Sequence, residues 1–474
     1  MDAIAVGQLV EAVRGRLASG PADLTVRGVE VDSRRLKPGM AFFALPGERR
    51  DGHEFLAAAA EAGAVCLCVR EGSEEYWPPV RGEGEGPAVV AVPETLAALQ
   101  ALAGWYRRRF SLPVVGITGS TGKTTTKDLV ASVLGARWRV AATPGNYNNE
   151  VGLPLTLFQL EAGVKAAVVE LAMRGRGQIA ALAALAQPTV GVVTNVGLSH
   201  LELLGSQEAI AEAKSELISS LPPDGLAVLN ADDPLVLAMA ARAPGRVLTY
   251  GLAATSPRAD CRAEEIEDRG AEGLDFLLTF GGESRRVHLG LPGRHNVANA
   301  LAAAAVGLAL GVGWEAVEAG LASPRRTAGR QQLRRARGGW LVIDDSYNAS
   351  PASMRAALGL LSSLAGGGRK LAVLADMLEL GPQEEAAHRE VGRYAAAQGV
   401  DYLAGVGERA RWLVEEAQLS LGPERARHWP DRQSAAEWML SLLRPGDVVL
   451  VKGSRAMKME EVAGLLASEG EEWR

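Results

Sequence analysis

Cysteine is scarce in this chain, and the three that occur, Cys66, Cys68 and Cys261, are odd in number, the first two being one residue apart in an apolar run. That excludes the disulfide framework that holds small secreted domains together. Excess positive charge is also missing. With 50 Lys and Arg against 56 Asp and Glu, the formal net charge is −6, so there is no basic footprint to recruit nucleic acid or an anionic membrane surface. Any phosphate site must be local. No apolar run has the length of a membrane span; the longest, from Ala300 to Trp314, is rich in Ala and Gly and suits a closely packed buried helix. The start, Met1-Asp2-Ala3-Ile4-Ala5-Val6, lacks a basic stretch ahead of an apolar one, so a cytoplasmic protein without a secretory signal is expected. Internal repeats and low-complexity tracts are not evident either.

What is present is the composition of a chain that folds throughout, 47% apolar and 22% charged over 474 residues. That length calls for about two to four domains. Short apolar runs (Val26 to Val31, Met40 to Leu45, Val65 to Val69, Ala88 to Val92) and a helical stretch, His53 to Ala62, make residues 1–93 a small α/β unit. It closes with a Gly-, Pro- and Glu-rich segment, Glu71 to Gly86, and with Pro93-Glu94-Thr95, a helix start. Residues 94–323 alternate strand and helix: Val114 to Thr118, Ala166 to Leu171, Thr189 to Val196 and Leu226 to Asn230 are apolar on both faces, as in a buried parallel sheet. Gly281-Gly282 lies between two strand-like runs and predicts a β-hairpin attached to that sheet. After Ser323 a basic segment expected to be irregular (Arg325, Arg326, Arg330, Arg334, Arg335, Arg337) leads into residues 324–474. There Trp340 to Ile343, Leu371 to Leu374, Tyr402 to Gly405 and Val448 to Val451 alternate with helices in a doubly wound α/β pattern.

The strongest motif is Gly119-Ser120-Thr121-Gly122-Lys123-Thr124-Thr125, set between the strand ending at Thr118 and a helix carrying Leu129, Val130, Val133 and Leu134. Glycines let successive N–H groups turn toward one anion, the helix N-terminus adds partial positive charge, and Lys123 adds a full one. Thr124 can place its hydroxyl on Mg²⁺. The position five before Gly122 is Ile117 rather than Gly, which points away from the common kinase and GTPase loops.

Ligands of parallel sheets lie beyond the carboxyl ends of the strands. There stand Glu170, Asn195 and His200; the Glu170 carboxylate and the His200 imidazole can ligate Mg²⁺, and a strand-end Glu can equally cap the following helix. Lys214, in Ala211-Glu212-Ala213-Lys214-Ser215-Glu216, has the look of a solvated helix residue paired with a neighbouring Glu. Asn296 and Asn299, three apart at the start of the Ala-rich helix, can read an adenine edge or cap that helix. Asp344-Asp345-Ser346-Tyr347-Asn348 and Lys452-Gly453-Ser454-Arg455 each follow a strand of the last region.

Taken in chain order, these residues resemble the Mur ligase family along essentially the whole chain. The likeness rests on the 119–125 loop, on Gly145-Asn146-Tyr147-Asn148-Asn149-Glu150-Val151-Gly152-Leu153-Pro154, on Ser199-His200, on Lys214-x-Glu216 and on Arg294-His295-Asn296. Asn146 to Asn149, Asp345-Ser346-Tyr347-Asn348-Ala349, Asp376-Met377-Leu378-Glu379-Leu380-Gly381 and Lys452 to Arg455 resemble the branch that adds a dipeptide last. Ser350 stands where that branch usually has Asn. The resemblance implies three domains: a small UDP-binding α/β domain, a central phosphate-loop ATPase-like domain, and a Rossmann-like domain that binds the dipeptide and closes on ATP. It implies ATP-dependent ligation of D-alanyl-D-alanine to UDP-N-acetylmuramoyl-tripeptide through an acyl phosphate, by a monomer. It assigns Thr124 and Glu170 to one Mg²⁺, His200 to a second, and a carbamylated Lys214 to the metal site. Asn296, Asn299, Arg330 and Asp345 are assigned to ATP, and Ser33, Arg34, Asp51, Gly52 and His53 to the uridine diphosphate. The alternatives are a Mur ligase adding the third residue, a folylpolyglutamate-type ligase, and a nucleotide-gated switch protein.

Overall fold

The computed structural model describes residues 1–47, 50–77, 86–468 and 471–472. Residues 78–85 of the Gly-, Pro- and Glu-rich segment lie outside them. The chain divides into two compact units. The first comprises Met1–Gly116, Trp138–Ala172 and Ile179–Val190; the second comprises Ile117–Arg137, Met173–Gln178 and Gly191–Arg474.

In the first unit a five-stranded sheet runs in the order Arg16–Ser19, Ala88–Val92, Cys66–Arg70, Ala41–Phe43, Val29–Glu30. All neighbours are parallel except the Arg16–Ser19 edge. Its inner strands are apolar on both faces, which is why their pattern was a run rather than an alternation. The stretch expected as one strand from Val26 to Val31 is broken: Thr25–Val26 pairs with Ile4–Ala5, and only Val29–Glu30 joins the sheet. Helix Thr95–Arg107 begins as Pro93-Glu94-Thr95 suggested, the Glu94 carboxylate accepting from the backbone of Leu96 and Ala97. The helix is anchored at its far end, where Tyr106 Oη donates to Leu160 O at 2.6 Å and Arg107 Nε to Ala186 O at 2.9 Å. Val140–Ala142 and Ala166–Glu170 form a parallel pair in the same unit.

The second unit holds two sheets. In one, Leu226–Asn230 pairs parallel with Arg246–Leu252 and that strand with Cys261–Asp268. Leu274–Phe280 and Glu283–Leu289 then form the hairpin expected around Gly281-Gly282. The Ala-rich helix is shorter than its apolar run: it spans Asn296–Ala309 and a second helix starts at Trp314, because Gly311 and Gly313 intervene with φ of 79° and 88°. Both helices pack on helix Lys123–Gly135. A Cβ on Gly320 would run into the Val133 backbone, so glycine there sets how closely the second one approaches.

The other sheet has the order Ala426–Trp429, Tyr402–Val406, Lys370–Ala375, Val448–Lys452, Leu341–Asp345, Gln332–Arg335, Glu471–Glu472. Successive residues alternate between two apolar cores: Leu341, Ile343, Ala372 and Leu374 on one face, Val342, Leu371, Val373 and Ala375 on the other. This is the doubly wound arrangement, with helices such as Pro351–Ala365 and Glu384–Ala397 on the first face and Arg432–Leu442 and Glu460–Ala467 on the second. The basic segment is only partly irregular. Gln332–Arg335 is an antiparallel strand held between Leu341–Asp345 and Glu471–Glu472.

Candidate active site

The strand Val114–Thr118 gives way to helix Lys123–Gly135 through a loop that only glycine permits at two positions. Gly119 and Gly122 have φ of 149° and 80°. A Cβ on Gly119 would overlap Thr194 Oγ1, and one on Gly122 would lie 2.6 Å from Asn299 Oδ1. The loop is pinned from the end of the neighbouring strand. Ser120 N donates to Asn195 O and Thr121 N to Asn195 Oδ1, both at 2.9 Å, while Thr194 Oγ1 donates to Thr121 O at 2.6 Å. Lys123 Nζ folds back over the loop, donating to Gly119 O at 2.8 Å and Ser120 O at 3.4 Å.

The loop forms one wall of a cavity of about 640 Å³, of the size usual for small-ligand sites. His295, Asn296, Arg330, Gln331, Asp345 and Lys452 are among the residues lining its other side. Asn296 and Asn299 are buried and linked: Asn299 Nδ2 donates to Asn296 Oδ1 at 3.0 Å, Asn296 Nδ2 to Gln331 Oε1 at 2.9 Å, and Thr126 Oγ1 to Asn299 Oδ1 at 3.1 Å. Arg330 Nη2 donates to Thr124 Oγ1 at 3.2 Å, and its guanidinium sits 4.0 Å over the Tyr347 ring. Its Nε is buried and has no hydrogen-bond partner among the described residues, a donor that a ligand of the cavity can take. Asp345 accepts from Gln331 N at 3.3 Å and from Lys452 Nζ at 2.5 Å. Burial draws the Lys452 ammonium below the ordinary lysine range, and the Asp345 carboxylate opposes that shift. Loop residues 119–125 and Asn296, Asn299, Arg330 and Asp345, distant in sequence, thus meet in one place. Thr194, Gln331 and Lys452 belong with them. Only Lys452 carried a signal, its position just past a strand.

Lys214 is not the solvated residue its glutamate neighbours suggested. Helix Gln207–Ser219 turns it inward, where it is 2% exposed. Burial first, and the Lys123 cation second, hold its ammonium well below the ordinary lysine range. His200, at φ 66°, precedes the short helix Leu201–Leu204, and its Nδ1 lies 2.7 Å from Glu379 Oε2. The contact is off the ring N–H direction, so Nδ1 has no formed hydrogen bond.

The remaining candidates lie in the first unit. Glu170 is 1% exposed at the end of its strand; its N donates to Thr143 Oγ1 at 3.1 Å and its Oε1 accepts from Asn148 Nδ2 at 2.8 Å. Ser33 and Arg34 form a 3-10 turn capped by Asp32, whose carboxylate takes Arg34 Nε at 2.9 Å and Nη2 at 2.7 Å. The Arg34 guanidinium holds that carboxyl below its usual range. Asp51 caps the 3-10 turn Gly52–Phe55, and a Cβ on Gly52 would lie 2.7 Å from the Leu45 backbone. His53 is 2% exposed with both ring nitrogens engaged: Nε2 accepts from Arg70 N at 2.9 Å, which leaves the proton on Nδ1, 2.6 Å from Asp51 Oδ1. Its side chain therefore fixes the Asp51 turn from inside.

Among the described residues no three His, Cys, Asp or Glu side chains gather into a metal cage. Magnesium carried on a nucleotide needs none, since phosphates and water fill most of its shell. The Thr124 hydroxyl at a helix N-terminus and the imidazole of His200 fit such a shared site. Nor is any helix among the described residues long and apolar enough to cross a membrane.

Three family models match in succession: Mur ligase family, catalytic domain, over residues 25–106; Mur ligase middle domain over 117–307; and Mur ligase, glutamate ligase domain over 329–455. The UDP-N-acetylmuramoyl-tripeptide--D-alanyl-D-alanine ligase of Bacillus subtilis (strain 168) is 38% identical, the match covering 96% of this chain and 97% of the relative. The chain belongs to the Mur ligase family. As a Mur ligase it is an ATP-dependent, amide-bond-forming enzyme. Solved Mur ligases share its fold from end to end. MurF from Acinetobacter baumannii superposes with a TM-score of 0.86 at 31% identity, covering 99% of this chain and 100% of the other. MurF from Thermotoga maritima, solved in complex with ADP, gives 0.78 at 29% identity, covering 94% and 98%.

Proposed function

We propose that this Mur ligase joins D-alanyl-D-alanine to UDP-N-acetylmuramoyl-tripeptide with ATP, producing the UDP-muramoyl-pentapeptide precursor of peptidoglycan. The observation that carries the reading is identity of 35–39% with ligases of that one name over 94–99% of this chain. In the first step an oxygen of the tripeptide carboxylate attacks the γ-phosphorus, the bond to the bridging oxygen breaks, and ADP leaves with the electron pair. The acyl phosphate then meets the neutral amine of the dipeptide. Nitrogen bonds to the acyl carbon, phosphate leaves with the pair from the broken C–O bond, and the amine gives up a proton.

The first step forces two anions together, so cations and N–H donors must be aimed at the transferring phosphoryl group. Gly119 to Thr125 and Lys123 supply them, Lys123 exchanging the Gly119 and Ser120 carbonyls for phosphate oxygens. Arg330, with its unpartnered Nε beside Thr124, adds a further donor. Asn296, Asn299 and Asp345 take the nucleoside side of the cavity. Thr124 and Glu170 would hold one Mg²⁺, and His200 with Lys214 a second. When bound, these ions neutralise the phosphates and stabilise charge in the transition state. Lys214 suits the carbamylated role because its amine is driven toward the neutral form: the nitrogen bonds to the carbon of CO2, a proton is lost, and a cation becomes an anion able to orient metal. Ser33, Arg34, Asp51, Gly52 and His53 build the two capped turns assigned to the uridine diphosphate. Residues 1–93, 94–323 and 324–474 are taken as the UDP-binding, ATP-binding and dipeptide-binding domains of a cytoplasmic monomer, the last closing on ATP to exclude water from the acyl phosphate.

Formation of ADP with UDP-muramoyl tripeptides ending in lysine or in diaminopimelate, each with and without D-alanyl-D-alanine, tests the reading. Turnover should require the dipeptide. Glutamate-dependent ADP release with a folate acceptor would replace the proposal with a folylpolyglutamate-type ligase, and slow hydrolysis indifferent to every acceptor with a switch protein.

A further inference from the structure

We infer that Glu379 is a positioning residue for His200, supplied by the doubly wound sheet to the turn that faces the metal in the phosphate-loop sheet; the inference rests on the proposed role of His200 as a metal ligand. Glu379 follows strand Lys370–Ala375, and its Oε2 is 2.7 Å from His200 Nδ1. Both residues are non-glycines with left-handed backbones, φ 64° and 66°, a conformation that survives in such residues where surrounding contacts hold it. Packing around the pair supplies them. Leu198 rests on the core of the doubly wound sheet, and a Cβ on Gly381 would sit only 3.1 Å from Glu202 Cα.

An imidazole that binds metal through one nitrogen commonly donates its other N–H to a carboxylate, which fixes the tautomer and ring orientation. Glu379 stands at Nδ1, leaving Nε2 for metal. A modest ring rotation would turn the short contact into an aligned hydrogen bond. The grip on the ion then depends on the segment Met377 to Gly381 being docked, so metal affinity senses the position of the doubly wound sheet.

Manganese in place of magnesium, counted by electron paramagnetic resonance on the full-length enzyme with a non-hydrolysable ATP analogue, tests this without turnover. Glu379→Ala should weaken Mn²⁺ by about 10-fold or more, and raise the Mg²⁺ needed for half-maximal turnover in proportion. KM for ATP at saturating Mg²⁺ should stay unchanged. Glu379→Gln, isosteric and safe for folding at a half-exposed site, should give a smaller loss of the same kind. Adding Glu379→Ala to His200→Ala should cost nothing more, because the two act as one unit. If His200→Ala weakens Mn²⁺ and neither Glu379 variant does, or if the losses add, the inference is overturned while the role of His200 stands. If His200→Ala leaves Mn²⁺ binding intact, that role fails and the inference with it.

Discussion

Lys214 and Lys452 are both 2% exposed, and burial draws both ammonium groups below the ordinary lysine range. Their surroundings then part. Lys452 has Asp345 Oδ2 at 2.5 Å and donates to Asn348 O at 2.8 Å. The carboxylate favours the charged form, and the pair ties strand Val448–Lys452 to the loop after Leu341–Asp345. The charge acting on Lys214 is the Lys123 cation, which repels a second one and deepens the shift. The surroundings of Lys452 favour its cation, and those of Lys214 favour loss of the proton, as the proposed carbamylation requires. Neighbours along the chain suggested otherwise. Glu212 and Glu216 flank Lys214, but Glu212 is half-exposed beside Arg176, and Glu216 accepts from Gly177 N.

The contrast breaks most readily at Lys214. Lys214→Ala should lower turnover by about two to three orders of magnitude, the scale of losing one transition-state stabilising group, with partial recovery in formate or acetate. Turnover like that of the wild type, with no rescue, would mean that the buried amine has no chemical task. Stability should separate the two lysines by sign. Lys452→Met leaves the Asp345 charge buried and should cost about 3–5 kcal/mol in a denaturant titration. Lys214→Met removes a group whose charged form is disfavoured and should be neutral or stabilising in CO2-free buffer; equal losses at both sites would erase the distinction.

The pH dependence refines it further. Between the depressed folded value of Lys214 and the ordinary 10.5, the unfolded chain binds a proton that the folded chain does not. Stability in CO2-free buffer should therefore rise with pH across that window, and Lys214→Met should flatten the rise. Lys452→Met should flatten it less, its shift being opposed by Asp345. The smallest effect belongs to a lysine-free control on the surface. Arg34, 86% exposed and paired with Asp32, should leave thermal unfolding unchanged on replacement by Ala. The change should appear instead as a raised KM for the UDP-linked substrate.

Much of this was legible beforehand because the signals were local. The 119–125 loop is contiguous, and its strand and helix flank it, so sequence adjacency and spatial adjacency coincide. The inner strands of both sheets were legible because burial on two faces demands unbroken apolar runs. Charged strands were not: Gln332–Arg335 carries two arginines, and Cys261–Asp268 four acidic side chains together with a bulge between Glu264 and Glu267, although each is paired on both sides. Charge at that density reads as a loop, because it breaks the apolar run by which a buried strand is recognised. His53 and Lys214 were opaque for another reason. A histidine with both nitrogens satisfied inside the protein and a lysine shut away from its own glutamates are properties of what folds over them.

By itself the sequence determined the phosphate loop, the α/β class and a family likeness spread over separate motifs. Each depends on residues that act with near neighbours or on a periodicity of 2 or 3.6. Tertiary structure decided which polar residues became a site. It brought Arg330 to Thr124, Asn299 to Gly122, Lys452 to Asp345 and Glu379 to His200, and it buried Lys214. Ion pairing and desolvation depend on distances of a few ångströms and on exclusion of water, and both are set by packing between segments far apart in the chain.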